Sequence, residues 1–221
     1  MVKSFKYLFQ FAWVNLAATL AFAAVVIVGS CLTGVPQGAN NIFRAYFGCF
    51  PLIILLMMFL FAYALCTSNL NLALSFGARR RDYFLSIQLV MLLYTGVGWA
   101  IQIVMSAIPD LFAWTSVDRW SFLMSLGGLT NWQYPLACLA IMTLGCLCGL
   151  LYARSKGWGV LLIVFTILGG IAATMVLLIC SDSQPGTPGA LTATILTCGS
   201  VGVIAVCELL IWRTVHRFVV R

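Results

Sequence analysis

Tyr46–Arg81 reads YFGCFPLIILLMMFLFAYALCTSNLNLALSFGARRR. Its first part, Tyr46–Thr67, holds no charged residue. At about 1.5 Å per residue, a helix over that run covers the roughly 30 Å of hydrocarbon in a bilayer. Arg79, Arg80 and Arg81 then mark the side on which the chain emerges. Five further apolar runs flank this one: Leu8–Leu32, Phe84–Ile108, Tyr134–Tyr152, Val160–Cys180 and Leu191–Ile211. Lys3 and Lys6 precede the first run, Arg154 and Lys156 follow the fourth, and Arg213, Arg217 and Arg221 follow the sixth. Only Arg44 and Arg119 fall in the alternate connections, beside Asp110, Asp118 and Asp182. Short loops rich in Lys and Arg stay cytoplasmic. The pattern predicts an all-α polytopic membrane protein with six transmembrane helices and both termini in the cytoplasm. Residues 1–221 read as a single transmembrane domain in a cell membrane, the cytoplasmic membrane of a bacterium.

Composition points the same way. The chain is 63% hydrophobic and 8% charged, against about 25% charged for a soluble domain. A formal charge of +7 would suggest nucleic acid in a soluble protein. Here the basic residues adjoin span ends, where anionic lipid of the bilayer is the nearer partner, and no nucleic-acid partner is expected. The first run is too long for a signal-peptide core of about 7–15 residues and reads as a retained helix. Of the nine cysteines, Cys66, Cys146, Cys148, Cys198 and Cys207 lie inside runs and act as small apolar residues. Cys31, Cys49, Cys138 and Cys180 fall near outer span ends, where one pair could oxidise. The single His216 and the lack of a CxxC pair leave no metal site in prospect, and no cofactor is implied.

The connections carry their own signals. Met1–Gln10 mixes Lys3 and Lys6 with Phe5, Tyr7 and Phe9, as an amphipathic helix at the interface does. Pro51 and Pro135 come early in their runs, where a first helical turn tolerates them. Pro109–Gln133 is rich in aromatics and reads as a segment at headgroup depth. Ser181–Ala190 is a Pro- and Gly-rich outer turn. Gly145 and Gly149 form a GxxxG pair that permits close helix approach.

Little chemistry is available inside the membrane. Glu208 is the only ionisable carboxylate within a run. About one turn from the inner end of its span, it reads as an intramembrane anchor that Arg213 reaches by snorkelling, with a substrate or proton-coupling role as the alternative. No HExxH motif, paired carboxylates or His-activated nucleophile is present. No lysine follows a glycine, which excludes a Walker A loop. The chain is therefore not expected to be an enzyme.

The connection 69–84 is the most distinctive. Leu70, Leu72, Leu74 and Phe76 are too apolar for a solvated loop, and predict a short helix lying on the membrane or in a partner's groove. Gly77 ends it, and Arg79, Arg80, Arg81 and Asp82 follow. The run LALSFGARRRDYF resembles the first cytoplasmic loop of type-2 ABC exporter permeases. Their G-x-x-R-R-x-x-(F/Y)-F pattern is matched by Gly77, Arg80, Arg81, Tyr83 and Phe84 at a spacing one residue shorter. The resemblance implies a permease subunit of an ATP-driven exporter. Leu72, Leu74, Phe76, Gly77, Arg79, Arg80, Arg81 and Asp82 would then form a coupling helix seated on a separate ATP-binding subunit. It further implies a homodimer or a paired homologous permease, with an amphipathic, lipid-like or peptide substrate. The outer turn Ser181–Ala190 is shorter than that family often carries. Two other readings fit the composition: a substrate-capture subunit of a vitamin-uptake transporter, and a non-transporting membrane assembly or immunity protein.

Overall fold

The computed structural model describes residues 2–32, 42–75, 79–111, 132–181 and 190–216. Apart from Arg79, Trp132 and Ser155 these are helical, with no strand among them. The helices are α1 (Val2–Leu32), α2 (Ile42–Ala64), a π-helical turn (Leu65–Asn69), α3 (Leu70–Ser75), α4 (Arg80–Leu111), α5 (Gln133–Arg154), α6 (Lys156–Ser181) and α7 (Ala190–His216). Five stretches are long and apolar enough to cross a membrane: Phe5–Val25, Phe50–Thr67, Arg80–Val104, Gln133–Arg154 and Thr197–Val215. A shorter apolar stretch, Lys156–Gly170, lies in α6. Their outward faces are apolar too, with Trp13, Phe165 and Leu209 more than 60% exposed. A surface so continuously apolar suits lipid and not water.

Inter-helix contacts fix the direction of each helix. Tyr134 donates from its hydroxyl to the Pro51 carbonyl, and Cys146 from its thiol to the Ala62 carbonyl, so α2 and α5 run parallel. Thr95 meets Met142 and Met91 meets Cys146, so α4 runs against α5. Cys148 meets Thr166 near the start of α6, which also runs against α5. Phe84 meets Trp212 and Gln88 meets Glu208, so α7 runs against α4. Tyr7 reaches Asn69 while Asn15 accepts from Tyr94, which aligns α1 with α4. Directions thus alternate along the chain. Lys6, Arg79, Arg80, Arg81, Arg154, Lys156 and Arg213 gather, all exposed, at one end of the bundle.

The centre of the bundle is α5, which packs on α2, α4, α6 and α7. Its glycines explain how close it comes to α2. A Cβ on Gly145 would stand 2.7 Å from the Phe59 carbonyl oxygen, and one on Gly149 would stand 2.6 Å from that of Tyr63. The GxxxG pair is therefore a seam inside the chain and not a contact between copies. The α5–α6 turn is equally tight. Only Ser155 separates the helices, and a Cβ on Gly159 would stand 2.4 Å from the Tyr152 Cα. Buried Ser86, Thr95 and Thr143 spend their hydroxyls on the Asp82 carbonyl, the Met142 sulfur and the Ala140 carbonyl. Among the described residues the buried core is mainly apolar, with Asn69, Ser86, Thr95, Gln133 and Thr143 as its buried polar side chains.

Several boundaries differ from expectation. The N-terminal stretch is not a separate interfacial helix: α1 runs unbroken for 31 residues, burying the stripe Leu8, Ala12, Leu16 and Ala23. Pro51 lies well inside α2 and not in its first turn, because the helix begins at Ile42. It removes a backbone donor from mid-helix, while Pro135 does sit in the first turn of α5. Pro109 and Asp110 belong to the last turn of α4. The aromatic connection over 112–131 and the outer turn over 182–189 lie outside the described residues.

Candidate coupling surface and intramembrane polar pair

At the basic end, α2 does not stop. The residues flanking the π turn, Ala64 and Leu70, both have right-handed helical backbone, so α2, the π turn and α3 form one continuous rod. The expected short helix over 70–75 exists, but as an extension of a span and not as a separate element lying across the membrane. A π turn inserts one extra residue and leaves a main-chain carbonyl poorly paired. Two hydroxyls repair this. Tyr83, fully buried at the start of α4, donates to the Leu65 carbonyl at 2.6 Å. Thr67 donates to the Tyr63 carbonyl at 3.0 Å. Buried Asn69 accepts from Tyr7 of α1 at 3.5 Å. The joint is thereby tied to α1 and α4 by side chains, and to α5 by the close approach at Gly149.

Beyond the joint, Leu70 and Ala73 turn into the bundle and are buried, whereas Leu72 is 44% exposed. The side chains of Leu74 and Ser75, and all of Phe76, Gly77 and Ala78, lie outside the described residues. Arg79, Arg80 and Arg81 are exposed, and Asp82 is half-buried. The Tyr83 amide donates to the Arg79 carbonyl at 2.9 Å, which closes the first turn of α4. One exposed leucine and three exposed arginines therefore share this end with a buried tyrosine that locks them to the span.

Glu208 lies well inside its helix. Because α7 continues to His216, the carboxylate sits about 12 Å from the helix end. Its partner is Gln88 of α4, whose Nε2 donates to it at 2.5 Å, and not Arg213. One turn nearer the basic end, Phe84 and Trp212 meet edge-on with ring centroids 5.0 Å apart. Gln88 drew no attention in the sequence, although it is a polar residue inside an apolar run and four positions after Phe84.

The thiols of Cys66, Cys138, Cys146, Cys148 and Cys207 are buried and free, and that of Cys198 is exposed and free. Cys31, Cys49 and Cys180, the other candidates for an oxidised pair, have side chains outside the described residues. Among the described residues no three of His, Cys, Asp or Glu converge as metal ligands. The Gln102 Oε1 is buried without a hydrogen-bond partner. No family model, no curated protein and no solved structure matches this chain.

Proposed function

We propose that the chain is the membrane subunit of an ATP-driven transporter, an exporter of the type-2 ABC permease kind, coupled to a separate ATPase through residues 69–84. The observation that carries this reading is the rod itself. A transmembrane helix continues past its π turn into α3, with Leu72 exposed and Arg79–Arg81 beside it at the basic end. An exposed apolar side chain at the same end as exposed arginines has the character of a protein interface anchor.

Six crossings, with both termini in the cytoplasm, are part of the same reading. Helix directions alternate, α6 spans 26 helical residues, and the basic residues gather at one end, which the positive-inside rule assigns to the cytoplasm. A displacement of α3 by the ATPase passes along α2 without a hinge and reaches α5 through the Gly145 and Gly149 seam. Substrate moves at the interface between this bundle and a second one, a copy or a homologous permease. The mainly apolar core of the single bundle supports that placement.

The test is co-purification of the chain with the product of any neighbouring ATPase gene. Leu72→Ala with Phe76→Ala removes the apolar anchors and should abolish recovery of the ATPase while leaving membrane insertion intact. Truncation of an anchor typically costs about 2 kcal/mol or more, so two suffice to separate a micromolar complex. Undiminished recovery with the double variant would sink the coupling assignment.

A further inference from the structure

Phe84 and Gln88 of α4, with Glu208 and Trp212 of α7, form a compact quartet. On each helix the two residues are four apart and lie one above the other. The helices run antiparallel, so the aromatic pair and the polar pair each meet across the seam. The quartet sits at the margin of the bundle. Trp212 is 42% exposed, and Leu85, Leu89 and Leu209 around it are exposed as well. A carboxylate at this depth is unfavourable in a membrane and marks a functional site by default. A bundle needing only an inter-helix hydrogen bond would use two neutral side chains, as Gln133 and Thr197 do toward the opposite end. Glu208 instead has a single neutral donor, and among the described residues no Lys or Arg forms an ion pair with it. A carboxylate accepts about four hydrogen bonds, and Gln88 supplies one. An inorganic divalent ion would want six or more oxygen ligands, which one carboxylate and one amide do not provide.

We propose that this quartet binds an amphipathic organic cation. The charged head meets Glu208 and the rings of Phe84 and Trp212, which attract cations through their electron-rich faces. The apolar body lies along Leu85, Leu89 and Leu209. Arg80, Arg81 and Arg213 lie beyond the aromatic pair toward the bundle end, so the cation arrives from the lipid side. This names a substrate class for the transporter reading and rests on that reading only for the claim that the ligand is carried. Binding is measured without any ATPase, so the two ideas fail separately.

The experiment uses the purified full chain in nanodiscs of zwitterionic lipid. Radiolabelled tetraphenylphosphonium is the probe, and triphenylphosphine oxide is a neutral competitor of similar shape. The wild type should bind the probe saturably, and the neutral compound should not compete. Glu208→Gln should weaken binding about tenfold or more, since the charge partner is gone. Trp212→Leu keeps the charge and should weaken it roughly threefold. Should Glu208→Gln fail to assemble, the Trp212→Leu variant and the neutral competitor still decide. Absence of saturable binding, equal affinity in an assembled Glu208→Gln variant, unchanged affinity in Trp212→Leu, or displacement by the neutral compound would each overturn the proposal.

Discussion

Replacing Gly149 by alanine tests the seam on which the transmission of movement would depend in the proposed transporter. The new Cβ would stand 2.6 Å from the Tyr63 carbonyl oxygen, about 0.8 Å short of the 3.4 Å at which ordinary contact begins, and 2.9 Å from the Cys66 Cβ. The nearer of the two is main chain and cannot rotate away, so α2 and α5 must part. Overpacking of this kind costs about 1–3 kcal/mol, and the separation forfeits dispersion contacts along the rest of the seam. Alanine also favours a helix over glycine by about 1 kcal/mol. That gain is shared by Gly202→Ala, whose new methyl meets nothing within 4 Å. The difference between the two variants therefore isolates the clash and should be about 1–3 kcal/mol. Reversible unfolding in mixed micelles, followed by far-UV circular dichroism against the fraction of denaturing detergent, measures it. Equal stabilities would refute the reasoning, because the helix pair would then have room that these distances deny.

Other outcomes follow from the same contacts. Tyr83→Phe removes the hydroxyl that donates to the Leu65 carbonyl and should lower stability by about 1 kcal/mol in the same unfolding assay; an unchanged midpoint would show that this bond adds nothing. Gln88→Leu leaves the Glu208 carboxylate without its donor and should cost about 1.5–3 kcal/mol. Glu208→Gln keeps a hydrogen bond to Gln88 and should leave the fold close to wild type, and a reversed order of the two would contradict the pairing. With single cysteines placed in a cysteine-free chain, positions 75 and 155 should resist an impermeant thiol reagent on intact cells while 116 and 183 react. Labelling at 75 would invert the orientation.

How much of this was legible in the sequence depends on which force sets each feature. The spans and the grouping of charges at one end follow from transfer free energy, which is a property of each residue type, and they read off the apolar runs and the placement of ten basic residues. The continuity of α2 into α3 does not. A π turn arises from a shift in backbone pairing stabilised by Tyr83 and Thr67, and no local pattern in LCTSN announces it. Pro51 misled for a related reason. Helix starts in apolar sequence lack strong caps, and Ile42 begins α2 earlier than the apolar run does. Gly145 and Gly149 were visible as a close-approach pair, but spacing alone does not say which helix approaches. The partner of Glu208 comes from α4, 120 positions away, and a nearby arginine was the only candidate that local spacing could offer.

Under the proposed function, the π turn also changes what a coupling segment can do. A helix joined to its span by a flexible loop would let an ATPase rock without moving the membrane helix. Here three ties oppose such slack: Tyr83 on the Leu65 carbonyl, Tyr7 on Asn69, and Gly149 against Tyr63 and Cys66. Each tie comes from a different helix, so the π turn cannot shift alone without breaking contacts to α1, α4 and α5 together, and α3 beyond it packs on α4. Two movements remain to be compared. One shifts α2 as a rod, carrying the seam with α5. The other passes the extra residue of the π turn along the helix, which would rotate α3 by about 100° relative to α2 and turn Leu72 away from its exposed position. The first conveys force and the second conveys presentation of the anchor. Tyr83, buried and bonded at the start of the π turn, opposes the second and so favours the first.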